Sequence, residues 1–486
     1  MKTLGLIMIC VVLVPVLLIE AQAQQTTPEN MPGMCHTNQP TPKDMPGMPM
    51  GEPDEAGSSS LLPEIGQPPA EPTGPEYRLE DLEAKALQRN PTLSESEAVV
   101  RSAQARQLQA GLWPNPTVGY LGDEIAGGLG VNGGRQGGFV EQTIVLGRKL
   151  YLAQQVAGSD ARIAALEKEE QRYRVQNAVR SAYVKTLAAQ ELVTLADQYV
   201  KLSTTTLETV QRLRNIGARD ESEVAMAEIE LERAKLSAEV QRGHLRQEWE
   251  NLRSILGDPA LPVGHVAGKL DADLPQLDSR QLVNTLIAES PAMKVAKENA
   301  TRAESSILES RRQSVPDLRV RAGLEQNLET NDLTGKPFGL EGFAEVRVEL
   351  PIFNRNQGNV ASARAESERS LAETHRVELQ LRRQAGIAVE QYQAARITVE
   401  SYQTEILPRS RRLYEMQRNA WGRMALSYPQ VLLAQQGLFA AQAEYIHALE
   451  NLKTNAVALN GFLLTDGLAA PVSGMGWTNL PPGRLQ

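Results

Sequence analysis

Two uninterrupted helical stretches of unusual length constrain what this chain can fold into. The pattern of apolar and polar residues predicts one helix over about 148–215 and another over about 359–420. At about 1.5 Å per residue, a helix of about 65 residues is roughly 100 Å long. An ordinary domain is narrower than this, so we expect an extended helical bundle in which other helices lie along each long one.

The sequence is duplicated with a period of about 205 residues. Each copy contains an opening helix with a proline near its start, two short strands, the very long helix, a glycine-containing reversal and a final helix. The opening helices are predicted over 82–113 and 282–314, and the final helices over 222–256 and 429–463. Because an opening and a final helix together match the long helix in length, we expect them to stack end to end as its antiparallel neighbour. Pro408 lies inside the second long helix and predicts a kink there.

The predicted strands alternate between apolar and charged residues. They cover 116–124, 140–146, 317–325 and 343–350. Such two-residue periodicity fits either a soluble sheet with one wet face or strands that cross a membrane with the apolar face toward lipid. In the membrane interpretation, the residues that face lipid are Leu318, Val320, Ala322, Leu324, Ala344, Val346, Val348 and Leu350.

Aromatic residues near the predicted strand ends suit the membrane interpretation, because aromatic side chains collect at the membrane–water interface. They are Trp113, Tyr120, Phe139, Phe338, Phe343 and Phe353. Four strands cannot close a barrel, and an open sheet edge is not tolerated in lipid. Several chains would therefore share one barrel, and three chains would supply twelve strands.

The first 23 residues have the features of a secretory signal peptide. Lys2 precedes an apolar run over 4–19, and Ala21-Gln22-Ala23 is a small-residue cleavage site. The alternative, a single membrane helix, requires a longer run. The predicted organisation is a signal peptide over 1–23, a Pro/Met-rich extended or disordered segment over 24–77, a first repeat over 78–270, a second repeat over 271–465 and a tail over 466–486.

Methionine is concentrated in the Pro/Met-rich segment, where five of the twelve methionines lie between positions 31 and 50. Thioether, thiolate and imidazole groups together favour Cu(I) or Ag(I). The segment is therefore either a metal-binding stretch or a linker that happens to contain methionine. The candidate metal ligands are Met31, Met34, Cys35, His36, Met45, Met48 and Met50.

Composition excludes several function classes. The net charge of −9 argues against a nucleic-acid-binding protein. The five histidines are scattered, and the sequence contains neither a G-x-S-x-G motif nor a P-loop, so we expect no enzyme. We expect no cofactor beyond transient Cu(I) or Ag(I) on the N-terminal segment.

Two junctions carry a resemblance to a known family. The sequences LPIFNRNQG over 350–358 and QTIVLGRKL over 142–150 resemble the strand-to-helix junctions of TolC-type outer-membrane efflux channels, especially the heavy-metal export branch. The order Gly147-Arg148-Lys149 departs from the Gly-Lys-Arg cluster common in that branch. The resemblance covers about residues 77–465 and implies a mainly α fold with a small β part. It also implies a homotrimer with one twelve-stranded barrel, embedded in outer-membrane lipid, on a long α-helical periplasmic tunnel.

The predicted function is that of an outer-membrane channel in a tripartite pump that exports heavy-metal ions, with copper or silver as the favoured cargo. Its implied partners are a periplasmic adaptor and an inner-membrane pump. The alternatives are a periplasmic helical adaptor or metal-carrying scaffold, and a drug or general efflux channel of the same family. By resemblance, the two helix reversals dock the adaptor and form the gate, and Gly217 and Gly422 are expected at positive φ. The gate and docking candidates are Arg214, Gly217, Arg219, Asp220, Gly422 and Arg423.

Overall fold

The computed structural model describes residues 74–123, 134–272, 274–275, 279–330, 333 and 335–470. The predicted signal peptide and the Pro/Met-rich segment as far as residue 73, with its seven candidate metal ligands, lie outside the described residues. So does the end of the chain from residue 471.

Most of the described chain is helical, and its two halves repeat the same order of elements. The first half contains β1 Glu76–Tyr77, α1 Leu79–Arg89, α2 Pro91–Ala110, β2 Thr117–Asp123, β3 Arg135–Ile144, α3 Lys149–Asn215 and α4 Glu221–Leu256. The second half contains β4 His265–Val266, α5 Ser279–Glu289, α6 Pro291–Arg312, β5 Leu318–Thr330, β6 Pro337–Val348, α7 Gln357–Ser401, a π-helical turn Tyr402–Ile406, α8 Leu407–Gly422 and α9 Tyr428–Asn460.

The opening helix of each half is two helices, so the prediction of one continuous helix over 82–113 and over 282–314 was wrong. The break falls at Asn90-Pro91 in the first half and at Ser290-Pro291 in the second. A residue that precedes proline is driven out of the α region, and both Asn90 and Ser290 have an extended ψ. Proline is well suited to the first position of the next helix, where its missing N–H costs nothing.

The first long helix agrees with the prediction. Helix α3 runs for 67 residues without interruption and packs against α1, α2 and α4 along its length. The second long helix is interrupted by the π-helical turn, in which the Leu407 amide donates to the Tyr402 carbonyl. This turn directly precedes Pro408, whose ring cannot sit against the carbonyl of Thr404 in a regular helix. The disturbance predicted at Pro408 therefore takes the form of one wider turn.

A small parallel sheet joins the two halves near the middle of α3. Strands β1 and β4 pair, and the Gln190 side chain on α3 bonds to the backbone of Val266 in β4. Its Oε1 accepts from the Val266 amide at 2.8 Å, and its Nε2 donates to the Val266 carbonyl at 3.2 Å. Trp249 is buried in the main apolar cluster, beside this small sheet. A second apolar cluster, near the helix reversals, contains Tyr414, Trp421 and Tyr428.

The remaining four strands form one antiparallel sheet in the order β2-β3-β5-β6. Strand β3 begins at Arg135, earlier than predicted, because the glycines at 137 and 138 hide the alternation. Strand β5 extends to Thr330 and β6 begins at Pro337, so this hairpin is longer at its loop end than the predicted one. At the other end β6 stops at Val348 instead of residue 350.

Substitution of Asn90 tests the break between α1 and α2. Asn90 is 2% exposed; its Oδ1 accepts from the Thr92 amide at 3.0 Å and its Nδ2 donates to the Ile255 carbonyl at 2.8 Å. We expect Asn90→Ala to destabilise the protein by about 1–3 kcal/mol, because a helix cap and a buried hydrogen bond are lost together. Thermal unfolding in detergent measures the effect.

The second half offers a matched control at the equivalent position. Ser290 is 1% exposed, and among the described residues its hydroxyl makes no capping hydrogen bond. Ser290→Ala should therefore change the unfolding temperature much less than Asn90→Ala. Equal effects at the two positions would show that the Asn90 side chain does not stabilise the break between α1 and α2.

Candidate functional site

The four-stranded sheet has one apolar and one polar face, and several residues on each face show an exposure that is the reverse of that in a soluble protein. On the apolar face, Val118 is 77% exposed and Leu340 is 70% exposed. On the polar face, Asn327 is 2% exposed and Glu325 is also buried. Water would favour the opposite arrangement, so the apolar face is built for a non-aqueous environment.

The cross-strand register brings most of the predicted lipid-facing residues together. Leu318 lies opposite Val348, Val320 opposite Val346 and Ala322 opposite Ala344, and Leu324 lies in the next row on the same face. Leu350 is exposed but follows the end of β6, so its place in a strand was predicted wrongly. That this face contacts lipid stays a prediction.

The first hairpin extends this face with residues that were not among the eight predicted to face lipid. Val118 pairs with Val140, which in turn pairs with Ala322, and Tyr120 occupies the following row. The missed signal is the alternation of Val118 and Tyr120 with Gly119 and Leu121, because a glycine and an apolar residue occupy positions where charged residues would mark the other face. Glycine carries no side chain, so it weakens a pattern that is read from side-chain polarity.

Two of the aromatic residues predicted for an interfacial belt lie elsewhere. Phe139 and Phe343 flank Gly323 in one cross-strand row on the polar face. The Arg321 guanidinium carbon lies 3.7 Å from the centroid of the Phe139 ring. A Cβ at Gly323 would come within 2.7 Å of the Phe343 ring, so the glycine lets that ring lie flat against the sheet. We call this row, with Gly119 beside Phe139, the aromatic row of the polar face.

The other aromatic candidates remain compatible with a belt. Trp113, Tyr120, Phe338 and Phe353 are all exposed. The Tyr120 hydroxyl donates to Gln136 on the neighbouring strand at 3.0 Å. Their position at a membrane interface stays a prediction.

The reversal between α3 and α4 agrees with the prediction for its glycine. Gly217 has φ +73°, and its amide donates to the Arg214 carbonyl at 2.9 Å. The amide of Ala218 donates to the Leu213 carbonyl at 2.9 Å. These two bonds close the helix end around a left-handed residue, the position where glycine is favoured.

The reversal between α8 and α9 does not use its glycine in this way, so the prediction for Gly422 was wrong. Gly422 is still part of α8, and Met424 takes the left-handed conformation at φ 59°. The Met424 amide donates to Trp421 and the Ala425 amide to Ala420, the same bond pattern as at Gly217. Met424 is therefore the structural equivalent of Gly217, two residues beyond the glycine that sequence inspection selects.

Arg219, one of the gate candidates, is largely buried by contacts within its own chain. Its side chain is 10% exposed, and the guanidinium donates to the carbonyls of Trp421 at 3.1 Å and Leu426 at 3.3 Å. It also lies 5.0 Å from the Trp421 ring centroid and 3.6 Å from a carboxylate oxygen of Glu223. These hydrogen bonds use two of the guanidinium nitrogens between the two reversals of one chain, and a role of Arg219 in gating or docking stays a prediction.

Glu223 completes this contact, which we call the cross-repeat clasp. Its Oε1 accepts from the Tyr428 amide at 3.2 Å, at the first residue of α9. The clasp thus places a cation at the C-terminal end of α8 and an anion at the N-terminal end of α9, which complements both helix dipoles. The sequence interpretation missed Glu223, although it lies in the first turn of α4 and four residues after Arg219, a spacing at which opposite charges can pair.

The other gate candidates remain available to a partner. Arg214 pairs with Glu221 at 2.9 Å on the surface, and Asp220 and Arg423 are exposed. Their role in gating or docking stays a prediction.

A second buried carboxylate, that of Glu230, links the helix pair α3 and α4 to helix α9. Glu230 on α4 accepts a hydrogen bond from the Tyr199 hydroxyl on α3 and another from the Gln436 amide on α9 at 2.7 Å. Burial raises the pKa of the nearby Tyr414 to about 12, so this hydroxyl stays neutral at physiological pH. Polar contacts as well as apolar ones therefore hold the helix pair α3 and α4 against helix α9.

A family model described as outer membrane efflux protein matches residues 82–258 and 282–463, one stretch in each half. The chain belongs to the outer membrane efflux protein family. Membership confirms the resemblance drawn from the two junctions, the outer-membrane location and a role in transport instead of catalysis. The periplasmic adaptor alternative loses its support.

Relatives and solved structures extend the comparison. The cobalt-zinc-cadmium resistance protein CzcC of Cupriavidus metallidurans is 23% identical over 395 residues, which cover 81% of this chain and 91% of CzcC. A crystal structure of CusC has a TM-score of 0.68 at 16% identity and covers 85% of this chain and 99% of its own. The channel VceC of Vibrio cholerae has a TM-score of 0.63 at 18% identity, with coverages of 80% and 96%. These structures confirm the mainly α fold with a small β part.

Two further findings concern the described residues alone. Within the ranges that the structure describes, no helix is both long and apolar enough to cross a membrane. In the same ranges, no group of three or more His, Cys, Asp or Glu side chains is placed to hold a metal ion.

A double-mutant cycle tests the cross-repeat clasp. Arg219→Met keeps much of the side-chain length but leaves the Glu223 carboxylate buried without its cation, so we expect a loss of about 3–5 kcal/mol. Glu223→Gln combined with Arg219→Met removes both charges, and this double variant should be more stable than Arg219→Met alone. Amide hydrogen exchange at residues 419–428, together with thermal unfolding, measures both effects. A double variant that is as unstable as the sum of the two single variants would show that the two side chains do not interact.

Proposed function

We propose that this chain is one subunit of a trimeric outer-membrane channel that releases heavy-metal ions from the cell. The observation that supports this best is the reversed exposure of the sheet, with Val118 and Leu340 in the open and Glu325 and Asn327 buried. In a closed barrel, the apolar face would contact lipid and the polar face would line a water-filled lumen.

The sheet edges support assembly from several chains. Strands β2 and β6 lie at the two edges of the sheet. In lipid, backbone groups at such edges need partners, and β2 of one chain can pair with β6 of the next. Three chains would close a barrel of twelve strands. The strands of 12 and 13 residues in β6 and β5 are long enough to cross a bilayer when tilted.

The cargo is proposed from two separate considerations. CzcC is by name a cobalt-zinc-cadmium resistance protein, and it is similar to this chain over most of both lengths. The soft ligands between residues 31 and 50 favour Cu(I) or Ag(I) over harder ions. Heavy-metal export is therefore the broader proposal, and copper or silver is the narrower one.

The channel itself would perform no bond chemistry. We infer that an inner-membrane pump supplies the energy and that a periplasmic adaptor docks at the reversals over 213–222 and 419–427. Arg214, Asp220 and Arg423 are the exposed charges there that a partner or a neighbouring subunit could meet. The clasp would make the two reversals of one chain move as a unit.

Adjacent residues on β2 test which face meets lipid. Val118 lies in one of the middle rows of the apolar face, and Thr117 points to the polar face. We expect Val118→Arg to destabilise the folded barrel by about 2–4 kcal/mol, and Thr117→Arg to cost about 0–1 kcal/mol because Glu141 lies opposite. Urea-dependent folding into lipid vesicles gives both values. Equal tolerance of the two arginines would contradict the membrane assignment.

A deletion strain complemented with variants tests the cargo. Loss of the gene should lower tolerance to copper and silver, or more broadly to cobalt, zinc and cadmium, while tolerance to drugs is unchanged. Deletion of residues 31–50 should lower copper and silver tolerance and leave the amount of trimer unchanged, because no described strand or helix is removed. Drug sensitivity without metal sensitivity would favour the general efflux channel instead.

A peptide covering residues 24–60 isolates the metal-binding part of the proposal. We expect it to bind Cu(I) or Ag(I) in preference to Zn(II), and to keep binding at mildly acidic pH. The reason is that a thioether is not protonated there, although His36 is. Competition with a Cu(I) chelator measures this, and equal preference for Zn(II) would return the segment to the role of a linker.

A further inference from the structure

The internal duplication relates the two hairpins of the sheet residue by residue. Pro91 and Pro291, which begin α2 and α6, lie 200 residues apart. Arg148 and Asn356, the left-handed residues directly before α3 and α7, lie 208 residues apart. Each residue of β2 therefore corresponds to the residue 200 positions later in β5, and each residue of β3 to the residue 208 positions later in β6.

The pairing inside each hairpin agrees with this correspondence. Val118 pairs with Val140 in the first hairpin, and the corresponding residues of the second hairpin, Leu318 and Val348, also pair. The two offsets come from the starts of the helices and not from the strands, so this agreement is independent of how they were chosen. The two hairpins are thus equivalent in register as well as in order.

The contact between the two hairpins of one chain then serves as a template for the contact between chains. Strands β3 and β5 pair with each other, whereas their counterparts β6 and β2 lie at the two outer edges of the sheet. In the aromatic row, Phe139 of β3 lies opposite Gly323 of β5. We propose that β6 pairs with β2 of a second copy of this chain in the same register, which places Arg347 opposite Asp123 of the partner subunit. The inference rests on the proposed assembly from several chains and specifies the register of its interface.

This register continues the apolar face of the sheet from one chain to the next. It places Val348 opposite Gly122 of the partner subunit, and Leu350 opposite Tyr120 of the partner subunit. In the single chain, Leu350 and Tyr120 are each 67% exposed. A shift by one residue would place apolar side chains opposite the polar face of the neighbour, so only shifts by an even number of residues keep the two faces separate.

The location of Leu350 just beyond β6 is explained by the same correspondence. Its counterpart in the first half is Gln142, which pairs with Val320 of β5. Gln142 lies beyond Glu141, the last residue of β3 that pairs with β2. The strand that would pair with Leu350 therefore belongs to the partner subunit, and we expect β6 to extend to Leu350 on assembly.

Charges on the polar face distinguish this register from the neighbouring even shifts. Arg347 lies opposite Arg319 in its own chain and pairs with Glu345 on its own strand at 2.6 Å. The proposed register adds the carboxylate of the partner subunit's Asp123 on the other side of Arg347. A shift by two residues in either direction would instead place Asp123 of the partner subunit opposite Glu345 or Glu349. Like charges directly opposite each other destabilise a strand pair, so both shifts are disfavoured.

Leu121 and Glu349 provide a cysteine pair that reports the register, because they lie opposite each other across the proposed interface. In the β3–β5 template, the Leu328 amide donates to the Gly134 carbonyl at 3.0 Å, so opposite residues with even numbers form the hydrogen-bonded pairs. Both offsets are even, so Leu121 and Glu349 form a pair of the other type, in which opposite side chains are closer. Such a pair suits a disulfide.

The experiment uses the full-length protein in outer membranes, with Cys35→Ser as background because Cys10 lies in the predicted signal peptide. Leu121→Cys is combined in turn with Arg347→Cys, Glu349→Cys and Pro351→Cys, and the covalent dimers and trimers formed by a mild oxidant are measured on non-reducing gels. We expect several-fold more product with Glu349→Cys, because the diagonal neighbours are about 7–8 Å away. Strands β2 and β6 of one chain are separated by β3 and β5, so these disulfides join different chains.

A charge exchange tests the register without a disulfide. Asp123→Arg should lower the temperature at which the trimer dissociates, because it faces Arg347 of the partner subunit. Arg347→Asp should recover part of this loss, so the two changes should be non-additive. Asp123→Arg with Arg319→Asp is the matched control, which changes the same charges on a strand that does not face Asp123 of the partner subunit and should be additive.

Each outcome decides the proposal. Most product with Glu349→Cys, or a non-additive exchange at Asp123 and Arg347 beside an additive control, supports it. Most product with Arg347→Cys or Pro351→Cys overturns the register while the proposed assembly stands, and so does a trimer that forms no disulfide with any of the three. If the wild-type chain gives only monomers after amine-reactive cross-linking in membranes, the proposed assembly fails and this register fails with it. If the cysteine variants do not assemble, the charge exchange alone decides, and an additive result there overturns the register.

Discussion

The apolar side chains exposed on one face of the sheet, opposite a polar face that contains buried groups such as Glu325 and Asn327, have a favourable environment only outside water. Burial of apolar surface stabilises a protein by roughly 25 cal/mol per Å². The apolar face does not contribute this stabilisation while it is exposed to water. Lipid supplies the missing environment but forbids the unpaired edges at β2 and β6. In the proposed barrel the sheet meets both conditions, because its edges pair with those of further copies of the chain. The long helices connect the sheet to the reversals.

The duplication gives two similar halves that the structure nonetheless uses differently. Helix α3 is continuous, whereas the second long helix contains a π-helical turn before Pro408. The reversal of the first half ends on Gly217 without strain, whereas that of the second half holds Met424 in the left-handed region. The cross-repeat clasp offsets part of this backbone strain at Met424. Arg219 and Glu223 of the first half form hydrogen bonds with backbone groups at the reversal of the second half.

Long-range order was predictable from the sequence where a pattern is repeated many times. The bounds of α3 and the shared face of Leu318, Val320 and Val346 follow from dozens of residues or from strict alternation. Single positions were less predictable. Gly422 was selected because glycine favours a left-handed turn, but the hydrogen bonds at the helix end place that turn at Met424. Phe139 and Phe343 were assigned to a membrane interface by residue type, yet Arg321 and two glycines give their rings a place on the polar face. These outcomes depend on partners that are distant in sequence.

Three carboxylates that the structure describes as buried each lie beside a protein group that bonds or pairs with them. Glu223 is paired with Arg219, Glu230 accepts from Tyr199 and Gln436, and Glu325 lies beside Arg135. A carboxylate that is already bonded attracts a passing cation through its charge but offers few free lone pairs for coordination. Glu325 is on the polar face of the sheet, which would line the lumen of the proposed barrel, so it adds negative charge to the wall of that path. A duct with this property leaves the choice of cargo to whatever loads it, and it needs only to keep the ion moving once loaded.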